Sequence, residues 1–91
     1  EMPQQEPTPE EVADLMEKAR SFMEEGTVIY VLLKDKSEFK AKVVEVTEGH
    51  IRFDLCHDDG EVYEQGIDVR PEQLDLITGS LGEFERRLRE I

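Results

Sequence analysis

The chain has no tryptophan, a single cysteine, and no apolar run of the length a membrane-spanning helix needs. A helical membrane span is therefore not expected. The lone Cys56 cannot build an internal disulfide framework, so cysteine usage does not point to a secreted, cross-linked scaffold. No early basic segment is followed by an apolar stretch, so no signal peptide is expected and the expected compartment is the cytoplasm. Cations are scarce: 11 lysines and arginines face 23 aspartates and glutamates, a formal charge of -12. Such a chain meets a Coulomb cost on approaching phosphates unless its cations gather on one face. Also missing are a glycine-rich phosphate loop, a catalytic triad order and paired zinc-ligand spacing. The expectation is a protein that is not an enzyme and that uses no cofactor and no metal.

What remains is one small domain. Its 91 residues leave no room for a second, and with hydrophobic residues at 37% the core must be thin. Residues 1–7, rich in Pro, Gln and Glu, read as a disordered arm. Thr8-Pro9-Glu10-Glu11 is a helix start, with Thr8 as N-cap, Pro9 at the first helical position and Glu11 completing a capping box. Val12, Leu15, Met16, Ala19, Phe22 and Met23 then follow in steps of three and four, and Gly26 stops the run. The spacing predicts a helix over 9–25 whose apolar face covers a sheet.

From Thr27 the period changes to two. Residues 28–33 are apolar on both faces, as in a strand covered on both sides. Asp35-Lys36-Ser37 is a turn, and Glu38 to Val46 is a second strand. It sets Phe39, Ala41 and Val43 against Lys40 and Lys42, with a bulge or bend at Val43-Val44. Ile51, Phe53 and Leu55 alternate with Arg52 and Asp54 in a third strand. His57-Asp58-Asp59-Gly60 ends in the Asp-Gly pair of a hairpin turn. A fourth strand runs from Glu61 to Val69 with Tyr63, Ile67 and Val69 on one face, and Pro71 forbids its continuation. Leu74, Leu76 and Ile77 form a fifth strand. Ser80 and Glu83 form a second capping box for a helix over 81–90, with Leu81, Phe84, Leu88 and Ile91 as its apolar side. The connections are tight, as in antiparallel meanders. The fold class expected is mainly β with an N-terminal α-helix: a small open barrel of five bent antiparallel strands over 27–78, then a short C-terminal helix.

Leu33, Asp35, Phe39 and Val43 fall on the first motif of the Sm and Sm-like (LSm, Hfq-like) family, with Lys36 and Ala41 at its two glycine positions. Val69-Arg70-Pro71-Glu72-Gln73-Leu74 falls on the second motif, with Pro71 at its glycine position. The chain thus resembles that family over 27–77. The resemblance implies a strongly bent five-stranded sheet capped by the N-terminal helix. It implies a homo-oligomeric ring of about five to seven subunits, made by pairing the fourth strand of one with the fifth of the next. Tyr63, Gln65 and Ile67 would meet Leu74 and Leu76 there. It also implies RNA as a ligand, bound weakly, through the second-motif Arg70, with Lys36 and with His50 near the place of the family's loop asparagine. A second resemblance, to the small acidic Rho-inhibitor proteins of the Rof type, rests on Leu33-Lys34-Asp35 and Phe39-Lys40-Ala41-Lys42. It implies an acidic regulator that binds a basic protein partner and blocks a nucleic-acid site.

Several patterns keep two readings. The acids form either a solvated surface or a face that mimics nucleic acid. Lys34, Lys36, Lys40 and Lys42, with Lys34 expected across the hairpin from Lys40 and Lys42, are either a cross-strand charge ladder or a phosphate contact. Arg70 either meets a base or pairs with an acid such as Glu72. Cys56, His57, Asp58 and Asp59 are metal ligands by type, but strand neighbours point to opposite faces, so they read as a hairpin end.

Overall fold

The structure is a computed structural model that describes residues 8–90; the arm at 1–7 and the apolar Ile91 lie outside the described residues. Helix α1, Pro9–Glu25, begins as its capping box dictates. The Glu11 N–H donates to Thr8 Oγ1 at 3.2 Å, and the Thr8 N–H donates to Glu11 Oε1 at 3.0 Å. Those bonds satisfy two amides at the helix start, and they hold the Glu11 carboxyl below the usual carboxylate range. Gly26 ends α1 in the left-handed region, φ 69°, and its N–H donates to the Phe22 carbonyl. Met16 and Ala19 are buried, and Val12, Leu15, Phe22 and Met23 pack against the same core.

Five antiparallel strands form one open sheet: β1 (Ile29–Leu33), β2 (Glu38–Val46), β3 (Ile51–Cys56), β4 (Val62–Val69) and β5 (Leu74–Thr78). The order is β4-β3-β2-β1-β5, so the fifth strand returns to the first and β4 and β5 become the edges. A 3-10 turn, Pro71–Gln73, joins those edges. Val43 pairs with Phe53 and Glu45 with Arg52, so Val44 is an extra residue and bulges out, as the broken alternation predicts. Ala41 sits between Ile29 and Leu55 at a fully buried position. Ile29, Val31, Ile51, Phe53, Leu74 and Ile77 fill the core. Each such side chain contributes about 1.5–3 kcal/mol of transfer free energy.

The two-sided apolarity of β1 is accounted for by two helices. Ile29 and Val31 face the core that α1 closes. Tyr30 and Leu32 face outward, where Leu32 pairs with Leu76 and is 0% exposed. Helix α2, Leu81–Glu90, covers that outer face: Phe84 stacks on Tyr30 with ring centroids 5.3 Å apart, and Arg87 grips Asp75 of β5 at 2.9 and 3.3 Å.

Three local expectations change. The second capping box is only half made. Ser80 Oγ accepts from the Glu83 N–H, but the Glu83 carboxylate accepts from the buried Thr78 hydroxyl, and Thr78 takes the Ser80 N–H instead. Leu81, expected on the apolar side of α2, is 49% exposed, because the helix turns Phe84 rather than its first residue toward β1. Tyr63 does not share a face with Ile67 and Val69. From Phe53 to Leu55, β3 advances two residues while β4 advances three, from Ile67 to Glu64. The extra residue is accommodated at Gly66, φ 75°, a conformation glycine reaches at no steric cost. Side-chain parity flips there, a second extra residue, Tyr63 itself, falls between the Leu55–Glu64 and Cys56–Val62 pairs, and Tyr63 points to the outer face.

Candidate functional site

The β1–β2 turn is closed by short local bonds. The Ser37 N–H donates to Asp35 Oδ1 at 2.9 Å, which lowers the Asp35 pKa. Leu33 N–H donates to the Ser37 carbonyl and Lys36 N–H to the Leu33 carbonyl. This closure drives Lys36 to φ 75°, the left-handed region. The Lys34 N–H donates to the Gln73 carbonyl at 2.9 Å, fastening this turn to the 3-10 turn that follows Arg70.

Arg70 is exposed, and among the described residues its guanidinium makes no ion pair, with Glu72 or with any other acid. Its own N–H donates to Gln73 Oε1 at 3.0 Å, while the Gln73 N–H returns to the Arg70 carbonyl. The pair Ile51 with Val69 places His50 and Arg70 just beyond the same end of the β3–β4 ladder. His50 Nδ1 lies 3.2 Å from Thr47 Oγ1, and its Nε2 lies 3.8 Å from Asp68 Oδ1 without a hydrogen bond. Asp68 is occupied by Arg52, at 2.8 Å from Nε and 3.4 Å from Nη2, and Arg52 also reaches Glu45 at 3.0 Å. The Arg52 guanidinium holds the Asp68 carboxyl below its ordinary range. So the fold brings His50 beside Arg70, and ties the Lys36 turn to Arg70's own loop.

The expected interface residues divide. Both sheet edges, β4 and β5, lack a strand partner on their outer side among the described residues. Tyr63 and Gln65 are exposed on β4, and Ile67 is half-buried against the core. On β5, Leu74 is 2% exposed, so its side chain belongs to the core and only its backbone lies on the edge, while Leu76 is half-buried. The open surface is thus a backbone edge more than a row of side chains.

The lysines do not form one patch. Register sets Tyr30, not Lys34, opposite Lys40. Lys40 instead pairs with Asp58 of the next hairpin, and Lys42 stands across from Asp54.

A groove that pattern reading does not find lies on the outer face, about 720 Å³ in volume. One wall is the Tyr30–Phe84 stack. Across from it His57 stacks on Tyr63, ring centroids 4.6 Å apart. The only sequence signal for it is the bare presence of aromatics at 30, 63 and 84; sheet register and α2 docking assemble them. Cys56 adjoins the groove but is buried, its Sγ donating to the Asp54 carbonyl, and burial pushes the thiol pKa up, away from nucleophilic chemistry. Among the described residues no three His, Cys, Asp or Glu side chains gather as metal ligands, and no helix is long and apolar enough to cross a membrane.

Comparison with protein-family models, with curated proteins and with solved structures finds no match to this chain.

Proposed function

We propose that the protein is a non-enzymatic, Sm-like module of the cytoplasm that assembles edge to edge into a homo-oligomeric ring and binds RNA weakly through Arg70, Lys36 and His50. The observation that carries this reading is the pair of edges, β4 and β5, at the two ends of one open sheet, unpartnered among the described residues. An open edge presents unpaired N–H and C=O groups, and two different edges on one chain make a head-to-tail contact that closes into a ring when the rotation fits. Two details of the motif positions support it. Lys36, at the first motif's glycine position, has the positive φ that glycine favours. Val69 and Leu74, the aliphatic ends of the second motif, are both buried. Arg70 between them is exposed and unpaired among the described residues. The acidic surface keeps the RNA affinity low and steeply salt-dependent.

Sedimentation velocity with a labelled uridine- or adenine-rich oligonucleotide tests both halves. At low salt the label should travel with a species several chains in mass. Arg70→Ala should leave that species intact and release the label. A monomer that carries no label at low salt overturns the reading.

A further inference from the structure

The outer-face groove has the composition of a cation receptor. Two stacked aromatic pairs line it: Tyr30 with Phe84, and Tyr63 with His57. Among the described residues, two of the three exposed large hydrophobic side chains, Tyr63 and Leu81, line it. Its charged groups are acidic in balance: Glu38, Asp58 and Asp59 against Lys40. Asp59 is fixed in place by the Glu61 N–H at 2.9 Å, while Asp58 pairs with Lys40. The groove therefore already holds one side-chain ammonium against a carboxylate.

We propose that this groove is a docking site for an arginine-bearing segment of a basic protein partner. A guanidinium is planar and weakly hydrated, stacks on a tyrosine face, and donates to two carboxylate oxygens at once. The three carboxylates attract it and repel a phosphate. An incoming arginine takes Asp58 from Lys40 and lays its plane on Tyr63, the half-exposed ring. Every group named belongs to one chain, and the site is argued without the ring, although Tyr63 lies on β4, the edge that the ring would use.

The chain offers a direct readout. Tyr30 and Tyr63 are its two tyrosines and it has no tryptophan, so tyrosine emission reports this groove alone. The probe is a synthetic peptide of arginines spaced by glycine and serine, free of aromatic residues. Emission should change saturably as the peptide is added. Tyr63→Ala should weaken binding about five- to thirtyfold and Tyr63→Phe should leave it within about twofold. Asp58→Asn with Asp59→Asn, a pair on the exposed hairpin, should weaken it comparably and guards against a misfolded Tyr63→Ala. The proposal is overturned if the peptide produces no saturable change or if both sets of variants bind as the parent does. It is also overturned if decauridylate moves the emission where the peptide does not, which makes the occupant a nucleobase. A change on concentrating the protein alone, suppressing the peptide response, assigns the groove to a second copy and overturns it too.

Discussion

Replacing Lys36 by glycine should stabilise the fold. Lys36 sits at φ 75° in a turn whose closure is fixed by the bonds of Leu33, Asp35 and Ser37. A residue with a Cβ in that region meets its following carbonyl at a cost of about 1–2 kcal/mol. Glycine removes the clash but brings more freedom to the unfolded chain, worth about 0.5–1 kcal/mol in the opposite direction. Lys36 is exposed and makes no ion pair among the described residues, so little else changes. The balance is a gain of about 0.5–1 kcal/mol, or about 2–8 °C in Tm for a domain of this size. Lys36→Ala keeps the clash and should stay within about 0.5 kcal/mol of the parent. Gly66→Ala supplies the opposite sign: the same φ, open space around the new methyl, and a net loss of about 0.5–1 kcal/mol by the same balance. Urea titration followed by circular dichroism reads all three. A Lys36→Gly variant less stable than the parent, or no better than Lys36→Ala, refutes the argument.

Phe84→Ala should cost about 3 kcal/mol, because it opens a cavity over Tyr30; a loss under 1 kcal/mol in thermal melts would mean α2 does not close that face. Acid should destabilise through Asp68, Glu11 and Asp35, whose folded-state pKa values are lowered. Their contribution is present above the ordinary carboxylate range near about 4 and is lost as pH falls through the lowered values. Urea midpoints of the parent should therefore drop more steeply below that range than those of Asp68→Asn, and parallel curves would contradict the Arg52–Asp68 pairing.

Features written in neighbouring residues were legible in the chain. Thr8, Pro9, Glu11 and Gly26 mark the two ends of α1 because caps act within one turn. Strand β2 keeps the bounds that its period and its flanking turns require, and Val43-Val44 announces its bulge. What escaped reading depends on register. Gly66 looks like any glycine in a strand, yet its extra residue turns Tyr63 to the other face and removes it from the row with Ile67. Lys34 reads as a neighbour of Lys40 until the pairing sets Tyr30 there. The doubly apolar β1 signals two covers, but nothing local says that the outer one is a helix 50 residues later. The site follows the same division. Arg70 is visible from its motif position, its adjacency to His50 needs the Ile51–Val69 pair, and the groove joins residues from β1, the β3–β4 hairpin and α2.

Native molar mass from light scattering on a sizing column, at low and at high salt, reads assembly through the β4 and β5 edges without any label or variant. One species of about five to seven chains should persist in both, because strand pairing and apolar contact are less salt-sensitive than surface ion pairs. A monomer in both would contradict it, and would mean that the two open edges do not recruit each other.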